Sequence, residues 1–331
     1  MDALRMIAMA FGAIPAQAVS VAAKLGIVDH LVDGPRSAGE LARLTGTHAP
    51  SLYRVLRALA TLEVLVEGAD GRFASTTLGD TLRSDGPESV RRAVIMAGDP
   101  SFTRACGEMM HSVRTGTPAF DHVFGTPFFD YLARHTEAGA VFNGGMANLS
   151  ELENPTLAAA YDFPAHACVI DVGGGRGGFL AEVLKAHPTV RGVLYDLPGV
   201  VREASVLREA GVAERCEVRS GDFFAAVPEG GDVYVVKRIL HDWADEQCVR
   251  LLRSFRRAMP AHGRLLAVDA VLAPAGTRDF GTMPDLLMLV VSPGRERTEA
   301  EFRELFTAAG FRLARVISTP SSLAIVEGVP A

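Results

Sequence analysis

The first part of the chain alternates apolar and polar residues with the spacing of helices. Residues 1–34 are rich in alanine, and their apolar side chains recur on one broad face. Ser37 and Glu40 have the spacing of a capping box, Gly46 ends the short helix that it opens, and Pro50 starts another. This order of signals predicts a helix-turn-helix arrangement.

The next apolar residues follow a strand pattern. Residues 64–74 contain two short runs around the turn-forming pair Asp70-Gly71, which predicts a wing beside an otherwise all-helical domain. Winged helices often bind DNA, but residues 1–100 hold 10 Lys and Arg against 11 Asp and Glu, so a basic face is missing. We therefore favour a structural role, in which the apolar helices pair two subunits, and keep DNA binding as an alternative.

Residues 101–162 look helical and connect this domain to the rest of the chain. Two adjacent glycines, Gly144 and Gly145, interrupt the pattern, and glycines weaken a helix unless something packs closely against them. The wall of a ligand pocket and a crowded contact between helices both explain the pair.

Apolar runs in the second half of the chain end in residues that can bind a nucleotide. The run at 169–172 opens into residues 173–178, of which five are glycine, and a helix follows. Such a loop lets a ligand approach the backbone. Asp196 ends the next run, where an acid can bind ribose hydroxyls, and Asp222 and Phe223 end a third, where they suit the edge and face of adenine. The glycine spacing alone also fits the dinucleotide fingerprint, so NAD stays open.

A further buried-strand pattern at residues 232–240 carries Lys237 and runs into His241. Ligands bind at the carboxyl ends of strands in an open parallel sheet, so both side chains are expected beside the glycine loop. A histidine there can accept a proton. It can equally cap a helix that begins near Asp242, and the pattern alone leaves both interpretations open.

Length and composition fit a globular protein of two domains. The chain has 331 residues, 48% of them hydrophobic and 22% charged, with a formal net charge of −6. Neither a signal peptide nor an apolar run of the roughly 18 residues that span a membrane is evident, so we expect a cytoplasmic protein without a membrane partner. The four cysteines are widely spaced and predict neither a disulfide framework nor a zinc site.

Taken together, these segments resemble the small-molecule O-methyltransferases that use S-adenosylmethionine, a class that includes plant caffeate and flavonoid enzymes and bacterial antibiotic-tailoring enzymes. The resemblance lies in residues 171–177, 195–198, 221–224, 237, 241–243 and 294–298. It implies an α/β fold, with a Rossmann-like class I methyltransferase domain of a mixed seven-stranded sheet at 163–331. Before it would come a winged-helix dimerisation domain at 1–100 and a helical connector at 101–162 that contributes to the substrate pocket.

The resemblance also implies roles for individual residues. S-adenosylmethionine would be bound, and S-adenosylhomocysteine released, by Gly173, Gly175, Gly177, Asp196, Asp222, Phe223, Lys237 and Ser150. His241 would be the general base, with Asp269 and Glu296 flanking and orienting it, although plant members commonly carry a longer glutamate in place of Asp269. The walls of the substrate pocket would include Phe142, Asn143, Met146, Asp285 and Met288.

The implied reaction moves a methyl group to a hydroxyl, expected to be phenolic, of an aromatic secondary metabolite, without a metal, in a homodimer paired through the N-terminal helices. A relative that binds the same cofactor but acts as a hydroxylase, decarboxylase or pericyclase is an alternative. An NAD-dependent dehydrogenase is another, but it gives no reason for Asp222, Lys237 and His241 to occur together. A DNA-binding regulator is the third, and the expected partners include no nucleic acid.

Overall fold

The computed structural model describes residues 2–202, 204–279 and 281–331. The chain forms two compact units, one of Met1–Arg104 with Phe129–Leu149 and the other of Ala105–Phe128 with Ser150–Ala331. The helical stretch at 101–162 is divided between these units. The three domain ranges expected from the sequence stay a prediction.

The first unit is mainly helical and contains a small sheet. Its elements, including α7, α10 and α11, which have residues in both units, are α1 Asp2–Ala10, α2 Ala13–Leu25, a 3-10 helix Asp29–Leu31, β1 Arg36–Ser37, α3 Ala38–Thr45, α4 Ala49–Thr61, β2 Leu65–Glu67, β3 Arg72–Ser75, α5 Thr77–Asp80, α6 Arg91–Ala97, α7 Pro100–Gly107, α10 Phe128–Arg134 and α11 Thr136–Ala159.

Local signals in the sequence set the helix-turn-helix and the wing. The Ser37 side chain accepts from the Glu40 N–H and the Glu40 carboxylate accepts from the Ser37 N–H, so the predicted capping box is present at the start of α3. β2 and β3 pair antiparallel around Gly71, which has φ of 74°. The prediction of an otherwise all-helical unit missed one strand, because β1, with two residues, pairs with β3. A strand this short leaves almost no alternation of side chains to detect.

Among the described residues, no single helix has both the length and the hydropathy of a membrane span. The consecutive helices α1 and α2 together reach that length and composition, with a bend of 47° between them.

The second unit is an α/β unit. Its remaining elements are α8 Met109–Thr115, α9 Ala119–Phe124, β4 Cys168–Val172, α12 Gly178–Ala186, β5 Arg191–Asp196, α13 Pro198–Val201, α14 Ser205–Glu209, a 3-10 helix Ala213–Arg215, β6 Cys216–Ser220, β7 Val233–Lys237, a 3-10 helix Leu240–Asp242, α15 Asp245–Ala258, β8 Arg264–Asp269, β9 Val271–Leu272, α16 Thr282–Val291, β10 Arg297–Thr298, α17 Glu299–Ala308, β11 Phe311–Ser318 and β12 Ala324–Pro330.

Seven strands form one mixed sheet, as the family resemblance implied, and the structure gives their order as β11-β12-β8-β7-β4-β5-β6. The five strands from β8 to β6 are parallel, and β12 and β11 are antiparallel to their neighbours. Alternate residues of the central strands enter two separate apolar clusters: Val169 and Val235 lie in one, and Ile170 and Val236 in the other. The sheet is therefore buried on both faces, and ligand-binding side chains are left to the strand ends.

Candidate active site

The glycine loop that follows β4 has the backbone expected from its sequence. Gly173, Gly175 and Gly177 have φ of 70°, 62° and 86°, in the left-handed region that favours glycine. Their N–H groups already donate within the protein, to the Tyr195 carbonyl, the Asp196 carboxylate and the Gly174 carbonyl. These glycines therefore offer a ligand a close approach to the backbone rather than free donors.

The predicted nucleotide-binding acids follow two neighbouring strands: Asp196 is the last residue of β5, and Asp222 comes two residues after β6. The Gly175 N–H donates to Asp196 Oδ2 at 2.8 Å, and the Leu197 N–H donates to Asp196 Oδ1 at 2.6 Å. Burial raises the pKa of Asp196, and the two N–H donors partly offset this. Asp222 accepts from the Phe224 N–H at 2.8 Å. The Phe223 ring borders the loop, because a Cβ added at Gly173 would lie 3.6 Å from it.

Asp171, inside β4, is a residue to which sequence reasoning gave no role. It is 1% exposed, and neither carboxylate oxygen has a hydrogen-bond partner in the part of the chain that the structure describes. Burial raises the pKa of Asp171 to about 7, although the charge of Lys237 opposes the shift. A buried carboxylate without a partner is an acceptor suited to a cationic ligand group. An acid within an otherwise apolar strand is the signal from which the sequence could have given Asp171 a role.

Lys237 and Ser150 are brought together, as their shared predicted role requires. Lys237 Nζ donates to Ser150 Oγ at 2.9 Å, and burial lowers the pKa of Lys237 to about 8. The next residue, Arg238, has φ of 55° and donates to both carboxylate oxygens of Glu153. Since Ser150 and Glu153 are one helical turn apart on α11, this helix holds the carboxyl end of β7 at two consecutive residues.

His241 lies in the 3-10 helix that follows β7 and is 7% exposed. Its Nδ1 is 2.8 Å from Glu296 Oε1. A carboxylate accepts, so Nδ1 donates, and Nε2 is left to exchange a proton. The long helix begins only at Asp245, not near Asp242 as expected, so His241 is not the residue that caps it.

Three carboxylates determine the protonation of His241. Burial by itself lowers the pKa of the imidazole, but Asp242, Glu296 and Asp269 outweigh burial and raise it to about 9. Asp242 lies on the side of the second nitrogen, with Oδ1 at 3.6 Å from Nε2, and burial raises its own pKa to about 6. The sequence had marked Asp242 only as part of a motif.

Asp269 does not make a hydrogen bond to His241, and Asp285 supports Glu296. Asp269 ends β8 and is fully buried, but neither of its oxygens forms a hydrogen bond within the described residues, so it does not orient His241 directly. Burial raises the pKa of Asp269 to about 7. An aspartate side chain is one methylene shorter than the glutamate common in plant relatives. Asp285 accepts from the Glu296 N–H at 2.9 Å, which supports the residue that holds His241. A contact of Asp285 with substrate stays a prediction.

The other predicted substrate residues lie on α11 and α16. In the first unit, the ring of Phe142 packs against Phe102 and Phe129, with both pairs of centroids 6.3 Å apart. A Cβ added at Gly145 would lie 2.6 Å from the Met96 sulfur, so a crowded packing contact explains this glycine. The substrate roles of Phe142, Asn143, Met146 and Met288 stay predictions. Over residues 2–202, 204–279 and 281–331, no group of three or more His, Cys, Asp and Glu side chains could hold a metal ion.

Two family models match the chain. An O-methyltransferase domain matches residues 107–312, and an O-methyltransferase dimerisation domain matches residues 7–85. The phenazine O-methyltransferase of Lysobacter antibioticus is 46% identical over 315 residues, which cover 95% of this chain and 92% of the relative.

Two further relatives extend the comparison to a ligand complex and to another reaction. An O-methyltransferase from neocarzinostatin biosynthesis, solved with S-adenosylmethionine and 2-hydroxy-5-methyl naphthoic acid, is 36% identical with a TM-score of 0.83, and 96% of each chain is covered. The aclacinomycin 10-hydroxylase of Streptomyces purpurascens is 36% identical, and the match covers 90% of this chain and 81% of the relative.

Proposed function

The chain belongs to the S-adenosylmethionine-dependent O-methyltransferases, and on that premise we propose that it methylates a phenolic hydroxyl of an aromatic secondary metabolite, with His241 as the general base. The observation that carries the proposal is the buried His241, which Glu296 holds through Nδ1 so that Nε2 can take a proton. The phenazine and naphthoate relatives support an aromatic acceptor.

The residues of the second unit fit the cofactor. The buried carboxylate of Asp171, which has no hydrogen-bond partner among the described residues, would bind the ammonium group of S-adenosylmethionine. Asp196, at the end of β5, would bind its ribose. Phe223 and Asp222 beside the loop would hold the adenine, and Lys237 with Ser150 would hold the carboxylate of the amino-acid end. Bound S-adenosylmethionine supplies an electrophilic methyl group on a positively charged sulfur.

The protein contributes alignment and proton transfer. A phenol with a pKa of about 10 is mostly protonated at neutral pH, so its proton has to leave as the oxygen attacks the methyl carbon. In the proposal, Nε2 of neutral His241 accepts this proton while the oxygen–carbon bond forms and the sulfur–carbon bond breaks. Glu296 then stabilises the imidazolium through Nδ1.

The N-terminal unit supports a homodimer. Its family model is a dimerisation domain, and several large apolar side chains on α1 are exposed, among them Leu4, Met6, Ile7 and Met9. Exposed apolar surface of this extent is typical of a protein–protein interface. We include pairing through these helices in the proposal.

The direct test is an assay of product mass. The purified protein is incubated with S-adenosylmethionine and hydroxylated phenazines, naphthoates and other phenols, and a gain of one methyl group on the acceptor is expected for at least one compound. A product that has instead gained oxygen or lost a carboxyl group would favour the hydroxylase or decarboxylase alternative. The 36% identical aclacinomycin 10-hydroxylase is the reason to look for a gain of oxygen. Tight cofactor binding with no methylated product would count against methyl transfer.

Replacing Asp196 should weaken cofactor binding. Asp196→Ala removes the carboxylate assigned to the ribose together with the acceptor that holds Gly175. Hydrogen bonds to a charged group contribute about 1.5–3 kcal/mol, so we expect the Kd for S-adenosylhomocysteine to rise about 10-fold to 100-fold in titration calorimetry. Glu217→Ala is the matched control, since this acid on β6 pairs only with Arg219 at the surface in the contacts observed. Equal affinity for the Asp196 variant and wild type would remove Asp196 from the cofactor site.

A further inference from the structure

Arg297 is the largest side chain that is completely buried, with 1% of its surface exposed. Its guanidinium is also fully engaged. Nη1 donates to the Leu240 carbonyl at 2.8 Å and the Arg295 carbonyl at 3.3 Å, and Nη2 donates to the Trp243 carbonyl at 2.9 Å. Nε and Nη2 both donate to Asp245 Oδ1, at 3.0 and 2.7 Å. Burying this charge would be unfavourable without such partners.

The partners of Arg297 bracket the predicted base. Leu240 directly precedes His241, and Trp243 follows it by two residues, so one rigid planar group holds the backbone on both sides of the imidazole. Arg297 is also the residue next to Glu296, whose Oε1 contacts His241 Nδ1. Its own backbone is fixed by the pairing of β10 with β9, in which Arg297 lies opposite Val271.

We propose that Arg297 is a positioning residue, which sets the distance between His241 and Glu296 by fixing the Leu240–Trp243 backbone to the segment that carries Glu296. The proposal rests on the proposed function of His241 as the base. Without the guanidinium, the 3-10 helix and the Glu296 segment are connected by fewer contacts. The imidazole then moves away from the carboxylate that stabilises its protonated form.

Three carboxylates act on His241. Asp242 lies in its own 3-10 helix, Glu296 precedes β10, and Asp269 ends β8. Asp245, at the start of α15, pairs with Arg297 instead. Of these interactions, the hydrogen bond that His241 Nδ1 donates to Glu296 depends most on the position of the 3-10 helix, because it requires a separation near 2.8 Å. Loss of that contact lowers the pKa of His241, since the imidazolium loses an acceptor.

The test uses Arg297→Lys, which keeps the positive charge and removes the planar fork. The full-length protein is labelled on histidine, and His241 is titrated by NMR and assigned by comparison with His241→Asn. We expect the pKa of His241 to fall by about 1 unit in the lysine variant. The kcat for a methylated acceptor should fall about 10-fold to 100-fold with little change in KM, because a displacement near 1 Å has this cost. The affinity for S-adenosylhomocysteine should stay within about twofold, which a general loss of folding would not allow.

Arg295→Lys is the matched control. Arg295 also donates to Asp245, at 2.9 Å, but its side chain is 42% exposed and its observed contacts are with acids rather than with the His241 backbone. This variant should keep the wild-type titration of His241 and the wild-type kcat. An unchanged titration of His241 in Arg297→Lys overturns the proposal.

Two further measurements distinguish a variant that does not fold, and a failure of the proposed function, from a failure of the role proposed for Arg297. If Arg297→Lys does not fold, Asp245→Ala takes its place, because it removes the carboxylate that holds two of the guanidinium N–H groups. A smaller fall in the pKa of His241 is then expected, and no change overturns the proposal. If the wild-type protein methylates no acceptor, the proposed function fails, while the titration still decides whether Arg297 positions His241.

Discussion

His241→Ala should lose most of the turnover and keep cofactor affinity. General base catalysis by a positioned side chain contributes about 10²–10⁴-fold, so a loss of this size in kcat is expected with any methylated acceptor. Some activity should remain, because alignment of the attacking oxygen with an already activated methyl group does not need the imidazole. The measurement is methyl transfer at saturating cofactor, combined with calorimetric titration of S-adenosylhomocysteine.

Two variants control this experiment. His241→Asn keeps a donor that can reach Glu296, so it avoids leaving that buried carboxylate without a partner. His262→Ala removes another histidine next to a carboxylate, since His262 Nε2 lies 2.9 Å from Asp232 Oδ1, but at an exposed position in the turn before β8. Turnover should fall with the asparagine and stay unchanged with His262→Ala. Full turnover in both His241 variants would end the assignment of a base.

The pH dependence of the wild-type enzyme is a second test of His241 as the general base. The neutral imidazole is the active form, and the surrounding carboxylates raise the pKa of His241 from its usual 6.5 to about 9. Below that pKa, kcat/KM should therefore rise with pH and level off near 9 rather than near 6.5. In His241→Ala this dependence should disappear and leave only the ionisation of the phenol itself.

The same raised pKa affects stability in the opposite direction. A group whose pKa is higher in the folded state stabilises the fold fully below its unfolded-state pKa. For His241 that contribution is complete below about pH 6.5 and is lost as the pH rises towards 9. The protonation state that the proposed chemistry needs is therefore the one that the buried carboxylates disfavour.

Much of the fold could be predicted because its signals are local. The glycine loop, the capping box at Ser37 and the strand that ends in Asp196 each depend on residues close together in the chain, and the structure confirms these elements. The strand pattern at 232–240 was too long, because β7 covers only Val233–Lys237. The two antiparallel strands β11 and β12 were implied only by the mixed sheet of the family that the chain resembles. β1, with two residues, was missed because its pairing with β3 is set by the wing and not by its own pattern.

The contacts around His241 could not be predicted from the residues because they join distant parts of the chain. The Glu296 contact connects residues 55 apart, and the Arg297 contact with Leu240 connects residues 57 apart. The family resemblance implied that Glu296 orients the imidazole, but neither segment showed that the side chain of the next residue, Arg297, contacts the backbone on both sides of His241. For Asp269 the family resemblance implied a contact that the structure does not have. Its side chain makes no hydrogen bond within the described residues.

Gly294→Ala should damage both stability and turnover through this same segment. A Cβ at position 294 would overlap the carbonyl oxygen of His241 and lie 2.5 Å from the Asp242 carbonyl carbon and 2.6 Å from the Trp243 nitrogen. These are backbone atoms, so the 3-10 helix itself has to shift. Overpacking of this kind costs about 1–3 kcal/mol and sometimes more, so we expect the free energy of unfolding to fall by about 3 kcal/mol.

The shift reaches the base directly, because the clashing atoms belong to His241 and its two successors. Protein that remains folded at 25 °C should therefore show kcat lowered by about 100-fold, the cost of a displacement near 1 Å, with S-adenosylhomocysteine still bound. Gly39→Ala is the control, since a Cβ there meets nothing within 4 Å and lies in helix α3, where alanine is the better helix former. It should melt at or above the wild-type temperature and keep wild-type kcat. A Gly294→Ala variant that melts and turns over like wild type would show that the close approach of these two backbones is not required.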